Sequence, residues 1–173
     1  MSQRPQDVGF DAGLLIDEYQ AGVWRYLRAL GADPPLAEDL TQDTFLAVLR
    51  KPFEMYHPAA TAAYLRKVAR NLFITHQRRA NPMVQIADLE FVETEWTRWV
   101  GNDNGDELLA ALKNCLEAIS PRAQQALEMR FRDKASRVAI AEALSLSPDG
   151  AKNLMQRAKK TLRECIERKV SPQ

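Results

Sequence analysis

No apolar run in this chain approaches the ~20 residues that a membrane-spanning helix needs, so a membrane span is not expected. The opening stretch, MSQRPQDVGF, has neither the basic patch nor the apolar stretch of a secretory signal. A cytoplasmic location is therefore the expectation. Cysteine is scarce: Cys115 and Cys165 stand far apart and neither sits in a CxxC. With His57 and His76 as the only histidines, no cluster has the spacing of metal ligands, so neither a metal site nor a cofactor is expected. Two buried helical thiols are the expected state of the cysteines. A glycine-rich phosphate loop and a Ser/His/Asp set are missing too. No residue is assigned as catalytic, and an enzyme is not expected. Strand-like alternation is scarce, which leaves an all-α protein.

What the chain does contain is charge in blocks. Its 173 residues are 46% hydrophobic, enough for a core, and carry a net charge of only +1. Residues 61–81 carry +5 with no acid, residues 82–107 carry −6, and residues 150–173 carry +5. Two basic stripes separated by an acidic segment form the electrostatic footprint of nucleic-acid binding, although any one stripe alone also fits a solvated helix face.

Helical signals run nearly throughout. Asp11 is a cap for a first helix through Leu30, with Leu14, Leu15, Tyr19, Val23, Tyr26, Leu27 and Leu30 near helical spacing. Asp33 with Pro34 reads as a cap followed by proline at the first helical position, opening a second helix that ends before Pro52. Thr61 is a plausible cap for the third helix. There Leu65, Val68, Ala69, Leu72 and His76 follow a buried stripe, which leaves Arg66, Lys67, Arg70, Asn71 and Ile74 off it. The stretch 82–105 has weak periodicity and a turn cluster, GNDNGD, and reads as an acidic linker with room for short helices. Trp96 and Trp99 within it either pack on a neighbouring domain or anchor a partner. The expected organisation is thus two small helical domains, 10–81 and 106–170, joined by the acidic linker 82–105.

In the second domain a short helix near 136–144, the turn SLSP and a longer basic helix make a helix-turn-helix. Ser120-Pro121 and Ser147-Pro148 are again cap plus proline. The last helix buries Ala151, Leu154, Met155, Ala158, Leu162, Cys165 and Ile166 on one stripe. Asn153 and Gln156 can then bond base edges in a major groove, and Lys152 and Arg157 can meet base or phosphate. Lys159, Lys160 and Arg163 suit backbone phosphates.

The runs AEDLTQDTFLAVLRK, AYLRKVARNLFITHQRR and ALEMRFRDKASRVAIAEALSLSPDGAKNLMQRAKKTLRE together resemble a bacterial RNA polymerase sigma factor. The short two-domain form is similar to the extracytoplasmic-function (ECF) group, over residues 12–80 and 106–168. The resemblance implies that Asp39, Gln42, Asp43 and Phe45, matching an Asp-x-x-Gln-(Asp/Glu)-x-Phe segment, dock on core RNA polymerase. It implies that Arg66, Lys67, Arg70, Asn71, Thr75, Arg78 and Arg79 hold the −10 element of promoter DNA. It places Lys152, Asn153, Gln156, Arg157, Lys159 and Lys160 on the −35 element. Melting requires a base to leave the stack for a protein pocket beside a positive groove. Phe53, Tyr56 and His57 either stack such bases or simply pack their loop. Members are commonly held by an anti-sigma factor, an expected partner that no residue here identifies. In the family the acidic linker lies within the polymerase, and here its charge is expected in addition to discourage the free protein from gripping DNA. Two helices depart from the pattern: SRVAIAE places Arg137, Val138 and Ala139 where polar or acidic residues are common, and in the last helix Leu154 replaces a frequent basic or polar residue.

Other readings remain at this point. A stand-alone helix-turn-helix regulator leaves DLTQDTF and the acidic segment without a role. A sigma-like adaptor binds polymerase without directing initiation. A helical enzyme has no supporting motif.

Overall fold

A computed structural model of the chain describes residues 11–51, 57–83, 87–100 and 104–170. Among these residues there are eight helices and no strand. The chain forms two compact units, with the boundary between Gly105 and Asp106.

The first unit is built on α1 (Ala12–Ala29), α2 (Pro34–Leu49) and α3 (Pro58–Ala80), which pack pairwise against one another. Asp11 caps α1 by accepting from the Gly13 amide at 2.9 Å, and Asp33 caps α2 through the Leu36 amide at 2.9 Å. Each cap satisfies amides that a helix start otherwise leaves unpaired. Between the two helices Gly31 adopts φ 106°, so Ala32 N–H reaches back to Leu27 O at 3.1 Å. That left-handed residue closes α1 and turns the chain into α2. Leu15, Tyr26, Leu27, Val48, Leu65 and Ala69 form the centre of the core. Leu14 is exposed instead of joining the α1 stripe.

Helix α3 begins a turn earlier than Thr61. His57 is its cap, accepting from the Ala59 amide through Nδ1 at 3.2 Å, and Pro58 follows. Thr61 is buried within the first turns. The fully buried stripe is Thr61, Leu65, Ala69 and Phe73, with Val68, Leu72 and Ile74 partly covered, while His76 is exposed.

The stretch 82–105 is more than a connector. It carries α4 (Ala87–Trp99), which belongs to the first unit. Leu89 enters that unit's core and is only 6% exposed, with Val92 and Trp96 packed beside it. Leu89, Val92, Trp96 and Val100 stand at i, i+3, i+7 and i+11, which is a helical stripe. Beyond α4, Asn104 donates to Glu18 O at 2.6 Å and its own carbonyl accepts from Arg25 at 3.1 Å. Gly22 makes this possible: a Cβ there would lie 2.4 Å from the Asn104 side-chain oxygen.

The second unit contains α5 (Asp106–Ala118), α6 (Pro121–Phe131), α7 (Arg137–Ala143) and α8 (Pro148–Lys169). Its core gathers Cys115, Ala126, Leu127, Ile140, Ala151, Met155, Ala158 and Leu162 around α8. The cysteines are not free thiols: Cys115 on α5 and Cys165 on α8 form a disulfide, with Cα atoms 5.9 Å apart. Helices α5 and α8 pack side by side, which brings residues distant in sequence into bonding range.

Candidate nucleic-acid interface

In the second unit the helix-turn-helix is α7, a tight turn and α8. Helix α7 ends with Ser145 at φ 54°, while Leu146 N–H bonds Ala141 O at 2.8 Å. The left-handed residue ends α7 abruptly and leaves space for α8 to start in a new direction. Ser147 Oγ accepts from Gly150 N–H at 3.0 Å and Pro148 occupies the first turn, which fixes where α8 begins. The guanidinium of Arg122 also bonds Leu144 O, tying α6 to the end of α7. With Ala151, Met155, Ala158 and Leu162 inward, Lys152, Asn153, Gln156, Arg157 and Lys160 are all exposed. Arg163 is exposed one turn further along. Leu154 is partly buried and packs on the core. Lys159 sits on the flank nearer α6, where its ammonium lies 5.5 Å from the Phe131 ring. That position borders an open groove lined by Leu112, Leu116, Leu127, Phe131 and Leu162, away from the outward face.

Helix α3 of the first unit treats its cations unequally. Lys67, Asn71, Thr75, Arg78 and Arg79 are exposed. Thr75 Oγ1 donates to Asn71 O at 2.9 Å, which ties its hydroxyl to its own helix. Arg66 and Arg70 are half-buried on the flank, and the Nε of each is buried without a hydrogen-bond partner. Arg66 Nε lies 3.6 Å from a Glu93 carboxylate oxygen of α4, with side chains only 16% and 32% exposed. The same Glu93 carboxylate accepts the Tyr26 hydroxyl, and Trp96 meets the Tyr26 ring edge-on at 5.4 Å. Burial, and then the bond to Glu93, pushes the Tyr26 hydroxyl well above its ordinary pKa despite the nearby Arg70 and Arg66 charges. Tyr26 is therefore a firm neutral donor at any physiological pH. Phe53 and Tyr56 lie outside the described residues.

On α2, Asp39, Gln42 and Asp43 share one exposed face. Phe45 does not join them. It is 3% exposed and sits in the core, because its position falls on the inward side of α2 with Thr41, Thr44 and Val48. The apolar side chain on the outward face is Leu46, 53% exposed and one turn beyond Gln42 and Asp43.

Residues 15–82 match sigma-70 region 2, and residues 109–162 match sigma-70 region 4. The two basic helices are thus the two regions of one family, in its order. The chain belongs to the sigma-70 family, in its ECF group. It is 29% identical over 153 residues to the ECF RNA polymerase sigma factor BldN of Streptomyces coelicolor, covering 87% of this chain and 58% of BldN. It is 40% identical over 67 residues to SigL of Mycobacterium tuberculosis, covering 38% of each. Against SigM of Bacillus subtilis it is 24% identical over 163 residues, covering 91% of this chain and 99% of SigM. The matches therefore take in less than two thirds of BldN and of SigL.

Within this sigma factor, region 2 holds α1 to α3 and region 4 holds most of α5 to α8. Helix α4 falls between the matched regions. The residues that sequence reasoning missed cluster there and at its contacts: Glu93, Asn104, Gly22 and, on α2, Leu46. Glu93 was legible in principle, since it lies inside the α4 apolar stripe, where an acid has to find a partner. Among the described residues no helix is long and apolar enough to cross a membrane, and no three metal-ligating side chains converge.

Proposed function

We propose that this sigma factor is a promoter-specificity subunit that binds core RNA polymerase, recognises −10 and −35 elements and supports DNA melting. The observation that carries the reading is the pair of outward basic faces, one on each unit, coinciding with sigma regions 2 and 4. The exposed face of α2, with Asp39, Gln42, Asp43 and Leu46, is the polymerase contact. Its carboxylates suit arginines of a basic partner surface, and Leu46 supplies the apolar area. Helix α3 meets the −10 element through Lys67, Asn71, Thr75, Arg78 and Arg79, with Arg66 and Arg70 on its flank. Helix α8 enters the major groove at the −35 element. Asn153 and Gln156 reach base edges there, and Lys152, Arg157 and Lys160 fix the phosphates. Lys159, on the flank, contributes charge rather than readout.

Bond formation belongs to the polymerase, and the protein works in the cytoplasm beside it. An anti-sigma factor belongs to the same reading. Reconstituted transcription tests it: purified core polymerase, this protein and fragments of the source genome, with start sites mapped. New starts sharing two upstream elements are the expected result. Folded protein that neither binds polymerase nor creates starts sinks the proposal.

A further inference from the structure

The acidic helix α4 meets α3 at Arg66, and its anchors are modest. One leucine, Leu89, is deeply buried, while Val92, Trp96 and Trp99 are half-buried and Phe91 faces solvent. Glu93 is aimed inward between the Tyr26 hydroxyl and Arg66. Its oxygen stands 3.6 Å from Arg66 Nε, too far for a good hydrogen bond, and Arg70 Nε is buried with none. Arg66 thus lies beside a helix that neutralises it imperfectly. A phosphate offers the same charge with several acceptor oxygens in a geometry that guanidinium matches. The chain after α4 is fastened separately, by Asn104 on Glu18 and Arg25 over Gly22. Helix α4 can therefore leave α3 while the segment behind it stays tethered to α1.

We propose that α4 is a built-in cover that holds Arg66 away from DNA in the free chain and lifts to let it take a promoter phosphate. The inference rests on α3 being the DNA-facing helix and concerns the regulation of that site. Glu93 acts as a phosphate surrogate, and Leu89 with Trp96 sets how readily the cover opens. The consequence is a free protein that grips DNA weakly until another surface, such as polymerase, claims or displaces α4.

The test measures binding of the full-length chain to a fluorescent single-stranded oligonucleotide by anisotropy at low salt, with polymerase affinity measured in parallel. Glu93→Gln keeps the size of the side chain and its acceptor for Tyr26 but removes the charge. It is expected to raise DNA affinity about fivefold to tenfold, the scale of one freed charged contact. It is also expected to steepen the salt dependence by about 0.7 in log–log slope. Adding Arg66→Ala must cancel that gain. Glu90→Gln, an exposed acid of the same helix, must give little. Leu89→Ala is expected to act in the same direction as Glu93→Gln, and if it impairs folding by circular dichroism the isosteric variant alone decides. Equal gains from Glu90→Gln and Glu93→Gln, or a gain that survives Arg66→Ala, mean general charge repulsion and overturn the cover. No gain from folded Glu93→Gln overturns it too. A gain cancelled by Arg66→Ala in a chain with no affinity for polymerase upholds the cover and removes the sigma reading instead.

Discussion

On α8 Lys152, Asn153, Gln156 and Arg157 stand in the open, and Lys160 meets only Glu164 of its own helix, at 4.0 Å with both side chains exposed. On α3 five cations share a helix, yet two of them are half-buried on its flank and one of these faces a carboxylate of α4. The packing explains the difference. Helix α8 buries one narrow stripe and leaves the opposite face to solvent. Helix α3 is flanked by the bundle on one side and by α4 on another. A site whose opposite face is bare is ready for duplex DNA at any moment. A site with a neighbour on its flank is available in part and responds to whatever moves that neighbour.

The comparison can be broken most strongly through the cores. Phe45→Ala should cost about 3–5 kcal/mol of stability in the first unit alone, as a buried phenylalanine does. Leu46→Ala, one residue on and exposed, should change stability by about 0.5 kcal/mol or less yet weaken polymerase binding. Thermal unfolding of both variants, with a polymerase pull-down, separates the two roles. Reduction of the Cys115–Cys165 bridge should lower the second unit's stability by about 2–4 kcal/mol, since the bridge closes a loop of 50 residues. Calorimetry with and without a thiol reductant should move only one of two transitions.

Smaller effects sharpen the contrast between the helices. Arg157→Ala with Lys160→Ala should lower the salt slope of duplex binding by about 2 without changing polymerase affinity. Arg66→Ala in the free chain should change DNA binding far less, because its partner there is Glu93. Gly22→Ala should be the mildest. It adds up to about 1 kcal/mol of helix preference to α1 and displaces the Asn104 side chain, so the stability change is near zero. Amide exchange should nonetheless quicken around residues 104 and 105.

Much of this was legible because helix starts carry their own chemistry. Asp11, Asp33-Pro34, Ser120-Pro121 and Ser147-Pro148 each appear in the structure as the cap that the sequence marks. His57-Pro58 escaped notice because histidine is an uncommon cap, although its neutral ring nitrogen accepts an amide as an oxygen does. His76 stands seven residues after Ala69, on the same side as the stripe, yet it is exposed because the buried length of α3 ends at Phe73. In α4 the apolar stripe was hidden by an acid standing within it. The disulfide and the Gly22–Asn104 contact depend on which helices become neighbours, and local pattern carries no such information. Phe45 teaches the converse: matching a motif picks out a residue but not the direction its side chain takes.

The Ser147-Pro148 start has one further consequence. Proline brings no amide to the first turn, and the serine hydroxyl is already committed to Gly150. The helix therefore has a fixed rotational phase, set before any of its outward residues is reached. Positions 153 and 156 can be exchanged without turning the helix, like type in a locked composing frame. On the proposed reading, related chains can thus diverge in the sequence they read while keeping one scaffold, and substitutions on that face alone are expected to alter promoter preference.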